Sequence, residues 1–248
     1  MRVSIITVCY NRTATIEKAI LSVLNQDYKD IEYIIIDGNS KDGTQAVIEK
    51  YTNRIAKYIS EPDNGMYDAI NKGLALATGD IVGLMHSDDE FYDNNVISKI
   101  VRAFETSAET EGVFGDGIYI SNDDKEKIIR NRIGGNFSTD KLENGWLPLH
   151  PTVYIKRNLI EKYGAYDLQF KIASDTEFLL RYLYKYRIQM TYVNAYFVKM
   201  RIGGLSTSKS RAFEVLKEDY KIYRLHQLSA FKAVFLKKLK TLLQYIKR

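Results

Sequence analysis

Two spacings of apolar residues alternate along the first hundred residues, one typical of buried strands and the other of amphipathic helices. Val3–Val8 is a β-branched apolar run, whereas Ile16, Ala19, Ile20, Val23 and Leu24 recur at i, i+3, i+4, i+7 and i+8. The predicted strands are Val3–Val8, Glu32–Ile36, Ala56–Ser60 and Asp80–Met85, and the predicted helices lie at Ile16–Leu24, Ala46–Tyr51, Met66–Ala77 and Val96–Phe104.

Strands and helices that alternate in this way predict parallel βαβ units in an α/β fold. The strands lack a clean apolar–polar alternation, which favours a sheet covered on both faces. Ligands of such sheets bind at the carboxyl ends of the strands. We therefore expect Tyr10, Asn11, Asp37, Asp88 and Asp89 to converge on one edge of the sheet.

The second half of the chain has a less regular pattern. It predicts one or two strands in Val113–Ile120, a long loop containing Trp146, two further strands, a helix, a polar loop and two helices in the tail. The later segments are Gly134–Leu149 (loop), Pro151–Ile155 and Thr191–Met200 (strands), Asp175–Tyr186 (helix) and Gly203–Ser210 (polar loop).

The 248 residues suit one α/β domain with small additions. With Cys9 as the only cysteine, an intramolecular disulfide is impossible and a cysteine-based zinc site is not expected. The apolar run at the start is too short for the core of a signal peptide, and no run of about 18 apolar residues could span a membrane. The expected location is the cytoplasm.

Positive charge is concentrated at the end of the chain. Residues 220–248 carry eight Lys and Arg and no acidic residue, and subtracting these from the net charge of +5 leaves residues 1–219 with a net charge of −3. Nucleic-acid enzymes spread positive charge along a groove. A nucleic-acid partner is therefore not expected.

Asp88 and Asp89 follow an apolar strand directly, and two adjacent carboxylates repel each other unless a cation lies between them. One or two carboxylates combined with substrate phosphates are the usual arrangement for Mg²⁺ or Mn²⁺. Because Ser and Asp also suit turns, the pair alone is equally consistent with a turn.

Two more polar segments have both a binding and a structural interpretation. Asp37 begins DGNSKDGT after the second strand, where a carboxylate can bind a base or ribose, but Ser40 or Asp42 can equally cap the next helix. Asp68 and Asn71 lie three residues apart and share one helix face, which is either functional or solvated.

The segments TVCYN, DGNSKDGT, DNGMYDAINKG and ATGDIVGLMHSDD, starting at Thr7, Asp37, Asp63 and Ala77, resemble in order and spacing the family 2 glycosyltransferases. The resemblance covers about Met1–Arg201 and is most specific in its first half. It implies the GT-A fold, with a mostly parallel central sheet flanked by helices. We expect a catalytic domain over residues 1–210, with a nucleotide-sugar-binding half (1–105) and an acceptor-binding half (106–210), followed by a basic amphipathic helical tail (211–248).

The resemblance also implies roles for individual residues. Substrate binding falls to Thr7, Cys9, Tyr10, Asn11, Asp37, Asn64, Asp68, Asn71, Ser87, Asp88, His150 and Arg201. Asp89 is the expected ligand of Mn²⁺ or Mg²⁺. Ser87 stands where the family's Asp-x-Asp motif has its first Asp. Cys9 has a simpler interpretation as a small buried residue.

The expected catalytic base is Asp175. The family has a Glu-Asp pair at the start of this helix, and here Ser174 replaces the Glu, so that Glu177 is the second candidate. Asp175 could instead cap the helix. A lone histidine such as His150 is more often structural. Arg201 with Gly203–Ser206 resembles a loop that closes over the diphosphate, or is a simple linker.

The implied reaction is an inverting transfer of a sugar from a nucleotide-diphosphate donor, with a UDP-sugar favoured, to a saccharide or lipid-linked saccharide in bacterial surface-polysaccharide synthesis. Two alternatives remain. A sugar-1-phosphate nucleotidyltransferase normally begins with a Gly-rich phosphate loop, which this chain lacks. A non-catalytic nucleotide-sugar-binding module would not need the three aspartates.

Phe231–Arg248 predicts an amphipathic helix, because Phe231, Phe235, Leu239, Leu242 and Ile246 share one face and lysines flank it. Three uses fit this pattern: docking on anionic lipid at the inner face of the cell membrane, packing on the catalytic domain, or pairing two subunits in a homodimer.

Overall fold

A computed structural model describes residues 1–121, 126–202 and 212–246, with side chains through residue 240. Its strands form one sheet in the order β3-β2-β1-β4-β8-β6-β9-β5, with β7 paired to β6. They are β1 (Val3–Cys9), β2 (Ile31–Asp37), β3 (Lys57–Ser60), β4 (Ile81–Leu84), β5 (Glu90–Phe91), β6 (Gly112–Ile120), β7 (Ile128–Arg132), β8 (Tyr154–Lys156) and β9 (Met190–Arg201).

Helices flank the sheet and follow the predicted βαβ order in the first half. Those in the described ranges are α1 (Ile16–Leu24), α2 (Thr44–Glu49), α3 (Met66–Leu76), α4 (Val96–Thr106), α5 (Thr139–Glu143), α6 (Arg157–Tyr163), α7 (Ser174–Leu180), α8 (Ala212–Leu225) and α9 (Ala230–Ile246). Within these same ranges, no helix is both long and apolar enough to cross a bilayer.

The sheet is buried on both faces, as the apolar strands predict. Alternate residues of β1 contribute to two cores: Ile6 packs with α3 on one face and Ile5 with α1 and α4 on the other. Gly73 lets α3 approach the sheet closely, because a Cβ there would lie 2.4 Å from a methyl group of Ile6. The strands β1 to β4 are mutually parallel, and the sheet becomes mixed beyond β4.

The structure differs from the sequence-based expectations mainly in the second half. The predicted loop Gly134–Leu149 contains α5, whose Leu142 is fully buried. The predicted strand beginning at Pro151 instead starts at Tyr154, after a 3₁₀ turn that holds Pro151 near its start, where proline is favoured. The strands β5 and β7 were not predicted, because they are short and carry polar residues. The predicted loop Gly203–Ser210 lies outside the described residues.

Candidate active site

A cleft opens at the edge of the sheet where β1 and β4 end, and α7 and α9 line it as well. Its volume of about 580 Å³ lies within the range typical of small-molecule sites. The predicted site residues that line it are Cys9, Tyr10, Ser87, Asp88, Asp89, His150, Asp175 and Arg201. The sheet thus brings residues far apart in sequence to one place, whereas Thr7, Asn11, Asp37, Asn64, Asp68 and Asn71 lie outside this lining.

Asp37 ends β2, is fully buried and contacts Cys9, which lines the cleft. Its carboxylate accepts hydrogen bonds from the hydroxyls of Ser40 (2.5 Å) and Ser60 (2.6 Å) and lies 3.5 Å from the sulfur of Cys9. Burial alone would raise the pKa of Asp37, but these hydrogen bonds outweigh it and hold the pKa below its usual value. The same surroundings, burial first, raise the pKa of the Cys9 thiol, which therefore stays protonated.

Thr7 and Asn11 also serve the local structure. The hydroxyl of Thr7 is buried and lies 3.1 Å from that of Tyr33. Asn11 adopts a positive φ of 52°, and its side-chain oxygen accepts a hydrogen bond from the backbone of Lys41 at 2.9 Å. Both residues therefore shape the strand end and the loop that frame the cleft.

The polar residues around the start of α3 differ in what they contact: Asp68 and Asn71 bind the protein backbone, and Asp63 lines the cleft. Asp68 accepts a hydrogen bond from the backbone of Asn64 at 2.9 Å and so closes the turn that starts the helix. The side chain of Asn71 is paired with the backbone of Tyr166 through two hydrogen bonds of 2.8 and 2.9 Å. Asp63, which sequence reasoning did not single out, lines the cleft.

Asp88 and Asp89 follow β4, as predicted, in a turn closed by a hydrogen bond from Asp89 to the carbonyl of His86. Asp89 is only 3% exposed. Burial raises its pKa well above the usual value, Asp88 raises it further, and a backbone hydrogen bond from Arg201 opposes the change. A bound cation would relieve this cost of burying negative charge. The described residues contain no cluster of three or more metal-ligating side chains.

Arg201, at the end of β9, is ion-paired on the cleft wall. Its guanidinium lies 2.8 Å from the carboxylate of Glu90 and 2.7 Å from that of Glu126. This arrangement fixes β9 against β5 and holds the backbone of Arg201 beside Asp89.

Asp175 is the second residue of α7 and lines the cleft. The hydroxyl of Tyr67 donates a hydrogen bond to it at 3.3 Å. The segment before Asp175 is held by Glu218 of α8, whose carboxylate accepts the backbone N–H groups of Lys171, Ile172 and Ala173 at 2.9–3.0 Å. The tail helix α8 therefore positions the candidate base.

Glu177, the second candidate base, is buried in an ion pair that stabilises the fold. It is 3% exposed, forms a salt bridge of 3.0 Å with Arg181 and lies 3.6 Å from His226. Arg181 in turn donates hydrogen bonds to the backbone carbonyls of Tyr163, Gly164 and Ala165. Glu177 does not line the cleft, so Asp175 is the carboxylate of α7 that a substrate can reach.

His150 lines the cleft and belongs to a group of aromatic side chains. Its Nε2 lies 2.6 Å from the hydroxyl of Tyr166, and its ring lies 6.0 Å from that of His86. Burial first, and His86 next, lower the pKa of His150 to about 3, so the ring is neutral at physiological pH. A neutral ring at this position can donate or accept one hydrogen bond toward a bound substrate.

The structure adds a group of cleft residues that sequence reasoning missed. They are Tyr67, Tyr119, Arg130, Arg132, Lys171, Lys237 and Lys240. Arg130 and Arg132 lie on β7, and the two C-terminal lysines lie on α9. Their positions depend on how β7 and α9 pack. The one signal in the sequence was the spacing of Arg130 and Arg132, because residues two apart on a strand lie on the same face.

Comparisons with known proteins agree with this geometry. The profile of Glycosyl transferase family 2 matches residues 4–169. An uncharacterized glycosyltransferase of Mycobacterium tuberculosis is 35% identical over 184 residues, which are 72% of this chain and 68% of that protein. A PGL/p-HBAD biosynthesis glycosyltransferase of Mycobacterium bovis is 25% identical over 83% of this chain and 79% of its own.

Two solved structures share the fold at low identity. S. aureus TarS 1-349 in complex with UDP-GlcNAc aligns with a TM-score of 0.69 and 18% identity over 91% of this chain and 65% of its own. Mannosyltransferase PcManGT from Pyrobaculum calidifontis, in complex with GDP-Man and Mn2+, aligns with a TM-score of 0.69 and 16% identity. The alignment covers 95% of this chain and 68% of the PcManGT chain. The chain spans about two fifths of a longer TarS chain, 39%. On its profile match and its fold, this chain is a member of glycosyltransferase family 2 with the GT-A fold.

Proposed function

We propose that this protein transfers a sugar from a nucleotide-diphosphate sugar to an acceptor hydroxyl, with inversion at the anomeric carbon. The observation that carries the proposal is that Asp175 from one half of the chain and Asp88 and Asp89 from the other line the same cleft. A nucleotide-binding module would not need a third reachable carboxylate in the same cleft as the acidic pair.

The acidic pair fits a divalent cation. Asp88 and Asp89 offer hard oxygen ligands, and Asp89 is buried, where negative charge is costly. Diphosphate oxygens would complete the coordination, as is usual for Mg²⁺ and Mn²⁺. When bound, such an ion would offset the charge that builds up on the diphosphate leaving group. We assign Asp89 as the protein's direct ligand and Asp88 to the ribose and sugar side.

The chain's own residues account for the remaining steps. Cys9, Tyr10 and Asp63 border the end of the cleft that we assign to the nucleotide, next to the acidic pair. Asp175 accepts the proton of the acceptor hydroxyl as its oxygen forms a bond to the anomeric carbon. The bond from that carbon to the diphosphate breaks, and its electron pair leaves with the diphosphate. With one base and one displacement, the configuration inverts.

The donor can be identified by its effect on stability. A ligand that binds only the folded protein at about one hundred times its Kd stabilises it by about 2.7 kcal/mol, which raises the Tm by about 5–10 °C in a chain of this size. We expect a UDP-sugar with Mn²⁺ to give this shift, and GDP- and dTDP-sugars to give less. Equal Tm shifts with all three donors would show that the protein does not select the nucleobase.

Release of UDP separates the transferase from both alternatives. A transferase releases UDP in the presence of an acceptor, whereas a sugar-1-phosphate nucleotidyltransferase releases pyrophosphate and a binding module releases nothing. Surface-polysaccharide or glycolipid acceptors are the first choice, since one relative carries a PGL/p-HBAD biosynthesis name.

We assign residues 1–105 to binding of the donor, residues 106–210 to binding of the acceptor and residues 211–248 to the tail.

The tail helix α9 has two different faces. One face packs on the body through Ala230 and Ala233, which are buried. The predicted stripe lies on another face, where Phe231 is 80% exposed and Phe235 58%. The apolar rings and the neighbouring exposed lysines suit an anionic membrane surface, and we propose peripheral docking there.

Flotation with anionic vesicles tests this docking. Replacing Phe231 and Phe235 with Ser is expected to abolish flotation without loss of folding, because neither ring packs on the body, and high salt should weaken flotation of the unchanged protein. Phe213→Ser, at an exposed position on α8, is the matched control and should still float. A wild-type protein that ignores anionic vesicles, or that forms dimers through this face in light scattering, contradicts membrane docking.

A further inference from the structure

Lys237 of α9 connects the tail to the start of α7. Its ammonium group donates hydrogen bonds to both carboxylate oxygens of Asp219 on α8, each at 2.8 Å, and one to the hydroxyl of Thr176 on α7 at 3.2 Å. Asp219 is only 1% exposed, and a buried carboxylate is costly unless it is paired. This pairing therefore fixes the Lys237 ammonium beside Thr176, the residue that follows Asp175.

The backbone of α9 is also held closely at this point. Gly145, in the loop after α5, has a φ of 74°, which glycine adopts without strain. A Cβ there would overlap the carbonyl oxygen of Ala233 and would lie 3.1 Å from the Cβ of Lys237. The loop and α9 are therefore in close contact, and this contact limits how far α9 can carry Lys237 away from α7.

Thr176 in turn holds the carboxylate of Asp175. The backbone N–H of Thr176 donates a hydrogen bond to Oδ1 of Asp175 at 2.8 Å, and the hydroxyl of Tyr67 donates one to the same oxygen at 3.3 Å. Two donors on one oxygen fix the orientation of the carboxylate in the cleft. Any movement of Thr176 therefore reaches the candidate base directly.

Two consecutive acidic residues of α8 reach the segments on both sides of Asp175. Glu218 accepts the backbone N–H groups that precede Asp175, and Asp219 reaches the residue after it through Lys237. All of these residues lie beyond residue 169, where the match to the family profile ends, so the profile assigns them no role. The tail thus contributes to the surroundings of the candidate base.

The Lys237 ammonium also keeps its positive charge. Burial alone would lower the pKa of Lys237, but Asp219 outweighs this effect, Tyr223 and Asp175 add to the change, and the pKa is raised. Asp175 therefore lies within the electrostatic reach of a fixed positive charge. Such a charge favours the ionised form of a carboxylate, which is the form that a general base needs.

We propose that Lys237 is a positioning residue, which fixes the orientation of the Asp175 carboxylate through Thr176. The proposal rests on the proposed transferase function, in which Asp175 is the base. It gives α9 a part in the chemistry in addition to membrane docking. Because Lys237 acts on the base and not on the donor, its loss should lower kcat and leave the affinity for UDP unchanged.

Thr176→Val tests the link with the least disturbance, because valine keeps the shape of threonine and leaves the pair of Lys237 and Asp219 in place. We expect kcat to fall about tenfold or more, since a misplacement of about 1 Å can cost about 10²-fold in rate. Thr176→Ser keeps the hydroxyl and should retain the wild-type kcat. Initial rates of UDP release, with saturating UDP-sugar and octyl glycosides as soluble acceptors, are compared with calorimetric titration of UDP and Mn²⁺.

Lys237→Met removes the ammonium group itself. It should lower kcat at least as much as Thr176→Val, and it should also lower the Tm, because Asp219 loses its cation. Lys238→Met, at the exposed neighbouring position, is the matched control and should keep kcat, UDP affinity and Tm. Deuterium exchange of the amides in residues 171–180 should be faster in Thr176→Val and Lys237→Met and unchanged in the control.

Two outcomes would overturn the proposal. If Thr176→Val keeps the wild-type kcat, Lys237 does not act on the base through Thr176. If Lys237→Met loses UDP affinity, its ammonium group is a ligand of the donor and not a positioning group. UDP release by the wild-type protein tests the transferase function separately: if no acceptor raises it, the proposed function fails, and faster exchange in Thr176→Val then reports a structural link alone.

Discussion

Replacing Asp175 with Asn is expected to lower turnover by about 10²–10⁴-fold, the usual cost of losing a general base. The amide keeps the shape of the side chain and can still pair with the hydroxyl of Tyr67, but it cannot accept the proton of the acceptor. Donor affinity should be retained, because the nucleotide end of the cleft is untouched. Initial rates with saturating donor, together with UDP binding by calorimetry, measure both quantities.

Glu177→Gln is the matched control, since the two carboxylates lie two residues apart on α7. Glu177 is paired with Arg181 away from the cleft, so this substitution should weaken folding and leave the turnover of the folded protein intact. Losing even about 1 kcal/mol here would lower the Tm by about 2–4 °C. If Glu177→Gln is inactive and Asp175→Asn is active, then Asp175 is not the base.

Replacing Asp89 with Asn is expected to nearly abolish turnover while the protein remains folded. The charge at Asp89 is buried and its pKa is raised, so a neutral amide removes an unfavourable charge from the apo protein and should not lower its Tm. Metal-dependent binding of the donor should disappear with the carboxylate. Calorimetric titration of UDP with and without Mn²⁺ separates the loss of the ion from a loss of the nucleotide site.

The matched control for Asp89 is Asp93→Asn, a nearby carboxylate paired with Lys99 at 2.9 Å, away from the cleft lining. It should keep both turnover and the effect of Mn²⁺. EDTA should inactivate the wild-type protein, and added Mn²⁺ or Mg²⁺ should restore it. Full activity in EDTA would exclude the proposed metal dependence.

The first half of the fold could be predicted because local signals decide it. Each strand is a short apolar run, each helix has one apolar stripe, and parallel strands bring their carboxyl ends to one edge. Asp88 and Asp89 could be placed in this way without knowing any long-range contact. The family resemblance, not the spacing, supplied Asp175.

The rest of the site depends on tertiary packing that the pattern does not encode. Asn71 has the polar position of a ligand-binding residue, yet it pairs with the backbone of Tyr166. The stripe on α9 allows membrane docking, packing on the catalytic domain or dimerisation, and the structure is needed to show that Ala233 is buried and Phe231 exposed. Small residues allow this closer packing: a Cβ at Gly145 would lie 2.1 Å from the carbonyl oxygen of Ala233.

The position of α9 gives it two environments at once, with Lys240 in the cleft and Phe231 and Phe235 facing outward. A helix with its side chains is about 10–12 Å across. Whatever rests against the outer face of α9 is therefore about one helix diameter from the cleft. A small tilt of α9 would therefore change the distance between the side chain of Lys240 and the loop after α5, which it now contacts through the carbonyl of Asn144.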